Sequence, residues 1–203
     1  MIHAYDKNYL ENARTSLGVM IDYAVNDCQV SLTEFWSKFI HSKLSSLFES
    51  GDSSTIVGKS GIELAQELLN TTITPTFNDA RSPEYWLGWA ISYYQWYRNI
   101  SFRNISVPIE DVLELYNPYH EMDIMQFCDM MDELLGKNTK ISNLKRIRQE
   151  VGISQSKLAL LTGIPIRTIQ QYEQKQKDIN GARSEYLILL ANALMCNPKD
   201  LLE

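Results

Sequence analysis

Ile166, Arg167, Thr168, Gln170 and Gln171 supply an aliphatic side chain, an arginine, a threonine and two glutamines within six residues. Each of these has a partner on the edge of a base pair. An arginine fork bonds guanine O6 and N7 together, a glutamine amide pairs with adenine N6 and N7, and an aliphatic group meets the thymine methyl. Such groups read bases only when a rigid element carries them into a groove. Pro165 suits the start of a helix, where its missing N–H costs nothing. Ile169 and Tyr172 recur at the spacing of a buried helical face, which leaves Ile166, Arg167, Gln170 and Gln171 pointing outward.

Two further helices are expected to position that one. Leu144, Ile147 and Val151 make a buried stripe, and Gly152 ends it. Ser154 caps the second helix, with Leu158 and Leu161 facing inward and Ala159 small enough for a close helix approach. Gly163 supplies a left-handed turn before Pro165. Two helices joined by a tight glycine turn have helix-turn-helix geometry.

The pattern Arg148-Gln149-x-x-Gly152-Ile153-Ser154-Gln155-x-x-Leu158-Ala159-x-x-x-Gly163-Ile164, closed by Ile169-x-x-Tyr172-Glu173, resembles the Cro/CI-type (XRE) helix-turn-helix domain. The resemblance covers residues 142–203, about a third of the chain. It implies a five-helix, lambda-repressor-like domain that binds double-stranded DNA, commonly as a homodimer on half-sites about one DNA turn apart. It places Gln155 at a phosphate or the adjoining base, and Ile166, Arg167 and Gln171 where the family reads bases. Thr168 and Lys175 or Lys177 fall near the DNA backbone. Arg148 and Glu173 match a buried structural ion pair, and 184–195 and 197–202 match the two closing helices. The family usually has glycine two residues after the closing glutamate. Here that residue is Lys175, so a different turn is expected.

The charge of −6 is unevenly spread. Residues 138–203 hold 10 Lys and Arg against 6 Asp and Glu, a balance of +4; residues 1–137 hold 9 against 19, a balance of −10. A basic piece on an acidic body suggests a DNA-reading head joined to a partner or effector module. The polar segment Gly136–Lys140 is the expected boundary, giving an acidic helical domain over 1–137 and a DNA-binding domain over 140–203.

The first part also reads as helical. Leu10, Ala13, Leu17, Ile21 and Ala24 predict a helix near 6–26. Ser31 and Glu34 form a capping-box pattern ahead of one helix through Phe48, and Gly51 to Gly61 reads as a loop. Ser60 to Glu63 opens a helix through Leu69. Thr71 to Ser82, with Pro75 and Asn78-Asp79, is irregular, and Ser82-Pro83-Glu84 starts a helix to about Ile100. Helices are expected again over 108–115 and 123–135. Ser101 to Val107 alternates too briefly to set a strand. The fold class is therefore all-α.

The helix after Ser82 is dense in aromatics. Tyr85, Trp89, Tyr93 and Trp96 share one face, and Trp86, Ala90 and Tyr97 another. Such a helix is central to a core and can also meet a partner. Trp86, Trp89, Tyr93 and Trp96 are its candidate partner or ligand surface. This part resembles uncharacterised helical regions that precede such DNA-binding domains in Gram-positive bacteria, some near toxin-like genes.

Catalytic patterns fail on inspection. Gly58-Lys59-Ser60 lacks the earlier glycine of a phosphate loop, which would stand at Ser53, and lacks a preceding strand. His120-Glu121 lacks the second histidine of a zinc-protease helix, where Ile124 stands. His120, Glu121 and Asp123 read as a solvated turn, and His3 and His41 join no constellation. Cys28, Cys128 and Cys196 stand alone and read as small hydrophobes. No membrane span and no signal-peptide pattern is present, so a cytoplasmic location is expected. No enzyme activity, metal or cofactor is expected. The functional expectation is a DNA-binding repressor, in its specific form an autoregulating antitoxin bound to a toxin-like operon neighbour. The alternative is a repressor whose aromatic-rich domain holds a small molecule.

Overall fold

The computed structural model describes residues 3–76, 81–138 and 141–203. Every regular element among them is helical, as the all-α expectation requires. The chain divides into two compact units, residues 1–135 and 136–203. Among the described residues no helix is long and apolar enough to cross a membrane.

In the first unit a 3-10 turn at Lys7–Tyr9 leads into α1 (Leu10–Asp22), which continues as a π-helical turn, Tyr23–Asp27. Leu10, Ala13, Leu17, Ile21 and Ala24 are all buried. α6 (Pro83–Arg98) packs along α1, and α5 (Gly61–Leu69) packs on α1 as well. The α1–α6 crossing is close because both helices have glycine there. A Cβ on Gly88 would stand 2.5 Å from the Leu17 carbonyl oxygen, and one on Gly18 would stand 2.8 Å from that of Tyr85. Phe35, Phe39, Phe48 and Phe102 fill the adjoining core, with the Phe39 and Phe102 rings 5.2 Å apart.

Local signals place the helix starts well. Ser82 accepts the Tyr85 N–H at 3.0 Å, with Pro83 in the first turn. Ser60 and Glu63 cap each other's backbone reciprocally. The Ser31 box is only half formed: Ser31 accepts the Glu34 N–H at 3.2 Å, but the Glu34 carboxylate turns to Lys38, 2.9 Å away. The single helix expected from Ser31 through Phe48 is two, α2 (Leu32–Ile40) and α3 (Lys43–Ser50). Ser42 breaks it by leaving helical geometry and capping α3. The expected loop from Gly51 to Gly61 contains α4 (Ser53–Ile56). Asp52 nucleates it by accepting the Thr55 N–H at 2.9 Å, and Ile56 is buried beneath it.

α7 (Ile109–Glu114) and α9 (Ile124–Asn138) lie where helices were expected, and between them runs the short, unexpected α8 (Tyr116–Tyr119). Ser101–Val107 forms a 3-10 turn at Phe102–Asn104, held by the Phe102 N–H and Ser101 hydroxyl on the buried Glu49 carboxylate. α9 runs on through Gly136, so part of the expected linker is helical. Residues 71–76 have no regular structure. The Asn78-Asp79 signal lies outside the described residues, as do Thr139 and Lys140 of the expected boundary.

The second unit holds α10 (Asn143–Glu150), α11 (Gln155–Thr162), α12 (Ile166–Glu173), α13 (Ser184–Leu194) and a 3-10 turn, Pro198–Leu201, in the place of a fifth helix. Ser142 and Ser154 cap α10 and α11. Gly152 (φ +75°) and Gly163 (φ +69°) take the left-handed turns that close them. Leu144, Ile147, Leu158, Ile169 and Tyr172 meet in one core. Leu161 does not join it and is 52% exposed. The inward face of α11 runs through Leu158 and, one full turn on, Thr162, whose hydroxyl donates to the Leu158 carbonyl at 2.8 Å. Leu160 and Leu161 are thereby rotated to the outside.

Candidate nucleic-acid interface

The turn that aims α12 is built locally. Gly163 reverses the chain, and the Thr162 hydroxyl accepts the Ile164 N–H at 3.3 Å. The Pro165 carbonyl takes the Thr168 N–H at 2.8 Å and also that of Ile169. Proline thus stands just outside the helix, at the N-cap. With Ile169, Tyr172 and Glu173 buried, the opposite face of α12 is fixed. Ile166 and Arg167 are exposed, and Thr168, Gln170 and Gln171 are half-buried beside them. That face offers an aliphatic group, a permanent cation, a hydroxyl and two amides, the set that can read base edges and touch phosphates.

Behind it, Arg148 and Glu173 form a two-bond pair, Nε to Oε1 at 2.6 Å and Nη2 to Oε2 at 2.9 Å. Arg148 Nη1 also donates to the Ile153 carbonyl at 2.7 Å. The Glu173 side chain is 1% exposed and that of Arg148 11%. The hydrogen bond to Glu173 holds the guanidinium pKa above its ordinary value against the opposing effect of burial. The pair joins α10 to the end of α12, so it sets the angle at which α12 leaves the core.

Gln155 is drawn into the same network, which the sequence did not reveal. Its amide Nε2 donates to Glu173 Oε2 at 2.7 Å, and its Oε1 lies 3.5 Å from Gln170 Nε2. Glu173 therefore orients Gln155, and Gln155 lies against Gln170. Only the spatial meeting of the start of α11 with the end of α12 creates this contact.

The turn after α12 corrects an expectation. Lys175 has φ +54°, the left-handed region that glycine enters without cost. The backbone thus takes a glycine-type turn with a lysine in it. The Lys175 ammonium lies 2.8 Å from the Glu203 carboxylate, which draws it to the far end of the unit. Lys177 is exposed, with its ammonium 5.4 Å from the centre of the Tyr172 ring.

The aromatic helix of the first unit serves mainly as core. Trp96 must be withdrawn from the candidate partner surface. It is 4% exposed, donates its indole N–H to the Tyr5 carbonyl at 2.8 Å and stacks on His3 at 3.8 Å. The chain's own N-terminal segment covers it. Trp89 and Tyr93 are half-buried over the buried Arg14, whose guanidinium carbon is 3.2 Å and 4.9 Å from their ring centres. Arg14 also pairs with Glu11 at 2.7 Å, and burial lowers its pKa. Its place was legible in part, since Leu10, Arg14, Leu17 and Ile21 continue one helical stripe.

Trp86 remains half-buried and borders a cleft of about 230 Å³ lined by Arg81, Ser82, Tyr85, Trp86, Trp89, Tyr116 and His120. His120 stacks on Tyr116 at 4.3 Å, and Trp86 meets Tyr116 edge to face at 5.6 Å. Among the described residues no group of His, Cys, Asp and Glu could hold a metal, and no disulfide joins Cys28, Cys128 and Cys196.

Comparison with known families bears on the second unit. The helix-turn-helix family HTH_3 matches residues 144–201, the segment from α10 through the closing 3-10 turn. No curated protein matches the chain, and no solved structure does. This segment is a helix-turn-helix domain of the XRE type, and at the general level the match supports a DNA-binding transcription regulator.

Proposed function

We propose that residues 140–203 recognise a specific double-stranded DNA site and that the chain acts there as a repressor in the bacterial cytoplasm. The observation that carries this is the outward face of α12, with Ile166, Arg167, Gln170 and Gln171 displayed on a helix braced by the Arg148–Glu173 pair. α12 enters the major groove, while Gln155, Thr168 and Lys177 lie toward the phosphates. The protein works as a homodimer on a near-palindromic site. The acidic part, residues 1–137, holds the regulatory partner. In the reading favoured by its charge and helical make-up, that partner is the protein encoded beside it, and the pair is an autoregulating toxin–antitoxin system.

The test begins by selecting bound fragments from random DNA with the full chain. On the selected site Arg167→Ala should cost about 1–3 kcal/mol and relax one base pair, whereas Lys177→Ala should weaken cognate and random DNA alike. Equal losses on both DNAs for Arg167→Ala would remove it from base reading. For the partner, failure of the neighbouring gene product to co-purify or to lose toxicity would reject the antitoxin reading. The cleft beside Trp86 favours a second reading, in which a small molecule controls DNA binding.

A further inference from the structure

Resting on that second reading, we propose that the cleft between the start of α6 and α8 is an effector site for a small, planar aromatic carboxylate. Its walls are rings: Trp86 and Trp89 are one turn apart on α6, and Tyr116 and His120 are one turn apart across the cleft. Trp86 and Trp89 are both half-buried, so each keeps surface for a guest. Arg14 backs Trp89 from within, and Phe127 meets Trp86 at 5.4 Å, which holds both indoles in place without a ligand. Preformed aromatic walls of this kind favour flat, unsaturated guests.

Size and charge narrow the class. The cleft's volume, about 230 Å³, lies below the range common for drug-sized ligands and suits a single ring. Its lining includes no carboxylate, although the surrounding unit is acidic. Arg81 stands at the rim, its guanidinium carbon 4.6 Å from the Tyr85 ring centre, and an arginine fork suits a carboxylate. The Ser82 hydroxyl is already committed to Asp22 and the Tyr85 N–H. His120 Nδ1 is 2.8 Å from the Tyr116 carbonyl, an acceptor only, so Nδ1 carries a proton, and Nε2 lies 3.6 Å from the Glu121 carboxylate. A ring bearing a carboxylate pairs with Arg81 while its face lies against the aromatic walls.

The experiment is calorimetric titration of the full chain, without DNA, with benzoate, 4-hydroxybenzoate, benzamide and cyclohexanecarboxylate. The two aromatic carboxylates should bind saturably with Kd of about 1 mM or tighter, and the non-planar acid should bind about tenfold more weakly. Arg81→Gln should weaken benzoate about tenfold and leave benzamide unchanged. This rim variant tests the site even if Trp86→Leu disturbs folding. Absence of saturable heat, equal binding of cyclohexanecarboxylate, or an unaltered benzoate affinity in Arg81→Gln would overturn the site. With the site occupied, affinity for the selected DNA should change by about 5–150-fold. An unchanged affinity would overturn the effector role. Loss of DNA binding with or without benzoate would count against the DNA reading, and the ligand titration would be unaffected.

Discussion

Replacing Glu173 with alanine should strand the Arg148 guanidinium in the core of the second unit. Two bonds of 2.6 and 2.9 Å disappear, and the arginine keeps only the Ile153 carbonyl at 2.7 Å. Gln155 Nε2 loses its acceptor as well. Breaking a buried pair by removing one partner costs about 3–5 kcal/mol, since the remaining charge is left uncompensated. Residues 136–203 form a small unit, and at ~0.05–0.15 kcal/mol per residue its whole stability is roughly 3–10 kcal/mol. The substitution therefore removes a large part of it, equivalent to a fall of roughly 12–40 °C in its melting temperature.

The assay can separate the two units. All four tryptophans, Trp36, Trp86, Trp89 and Trp96, lie in the first. Tryptophan fluorescence should thus melt as in the parent while part of the helical circular dichroism melts much earlier. Because the Glu173 side chain is 1% exposed, the shift should change little with added salt. A double replacement, Arg148→Met with Glu173→Leu, should recover most of the loss by removing both charges. A fall equivalent to less than about 1 kcal/mol would mean the pair behaves as a solvated surface bridge. A double variant as unstable as the single one would trace the loss to packing instead.

Three further outcomes follow from packing and burial. Gly88→Ala should destabilise it by about 1–3 kcal/mol or more, because the new Cβ meets the Leu17 carbonyl at 2.5 Å, whereas Gly136→Ala, with nothing within 4 Å, should gain up to about 1 kcal/mol of helix propensity; denaturant melts compare them. Burial pushes the Cys128 thiol up to about 12, so a thiol reagent at mildly alkaline pH should label Cys28 and Cys196 on the native chain and reach Cys128 only on unfolding. Three equally fast thiols would refute this. Burial also pushes the Tyr5 phenol to about 12, so its contribution is complete below the unfolded value near 10 and is lost as pH rises from there to about 12. Allowing for partial exposure it is worth up to about 2 kcal/mol, and alkaline melts of Tyr5→Phe should lack that decline.

Much of the architecture was legible because its causes are local. Ser60, Ser82 and Ser154 each hold an amide three residues on, and Gly152 and Gly163 take the left-handed turns their positions demand. Those interactions need only near neighbours in sequence, and so do the apolar stripes of α1 and α10. The same reasoning failed where two local signals compete. Glu34 had both the Ser31 backbone and Lys38 within reach and took Lys38, and Ser42 ended one helix by starting another.

The amino-acid sequence by itself determined that this is a helical chain, that its basic C-terminal part carries a helix-turn-helix, and that Ile166, Arg167 and the adjacent glutamines share the outward side of one helix. These follow from periodicity, caps and charge. Tertiary structure alone decided that Gln155 leans on Glu173, that the N-terminal segment seals Trp96, that Arg14 lies under Trp89, and that Tyr116 and His120 face Trp86 across a cleft. Each of these brings together elements separated along the chain, and contacts of that kind are set by the mutual burial of whole helices rather than by any local preference.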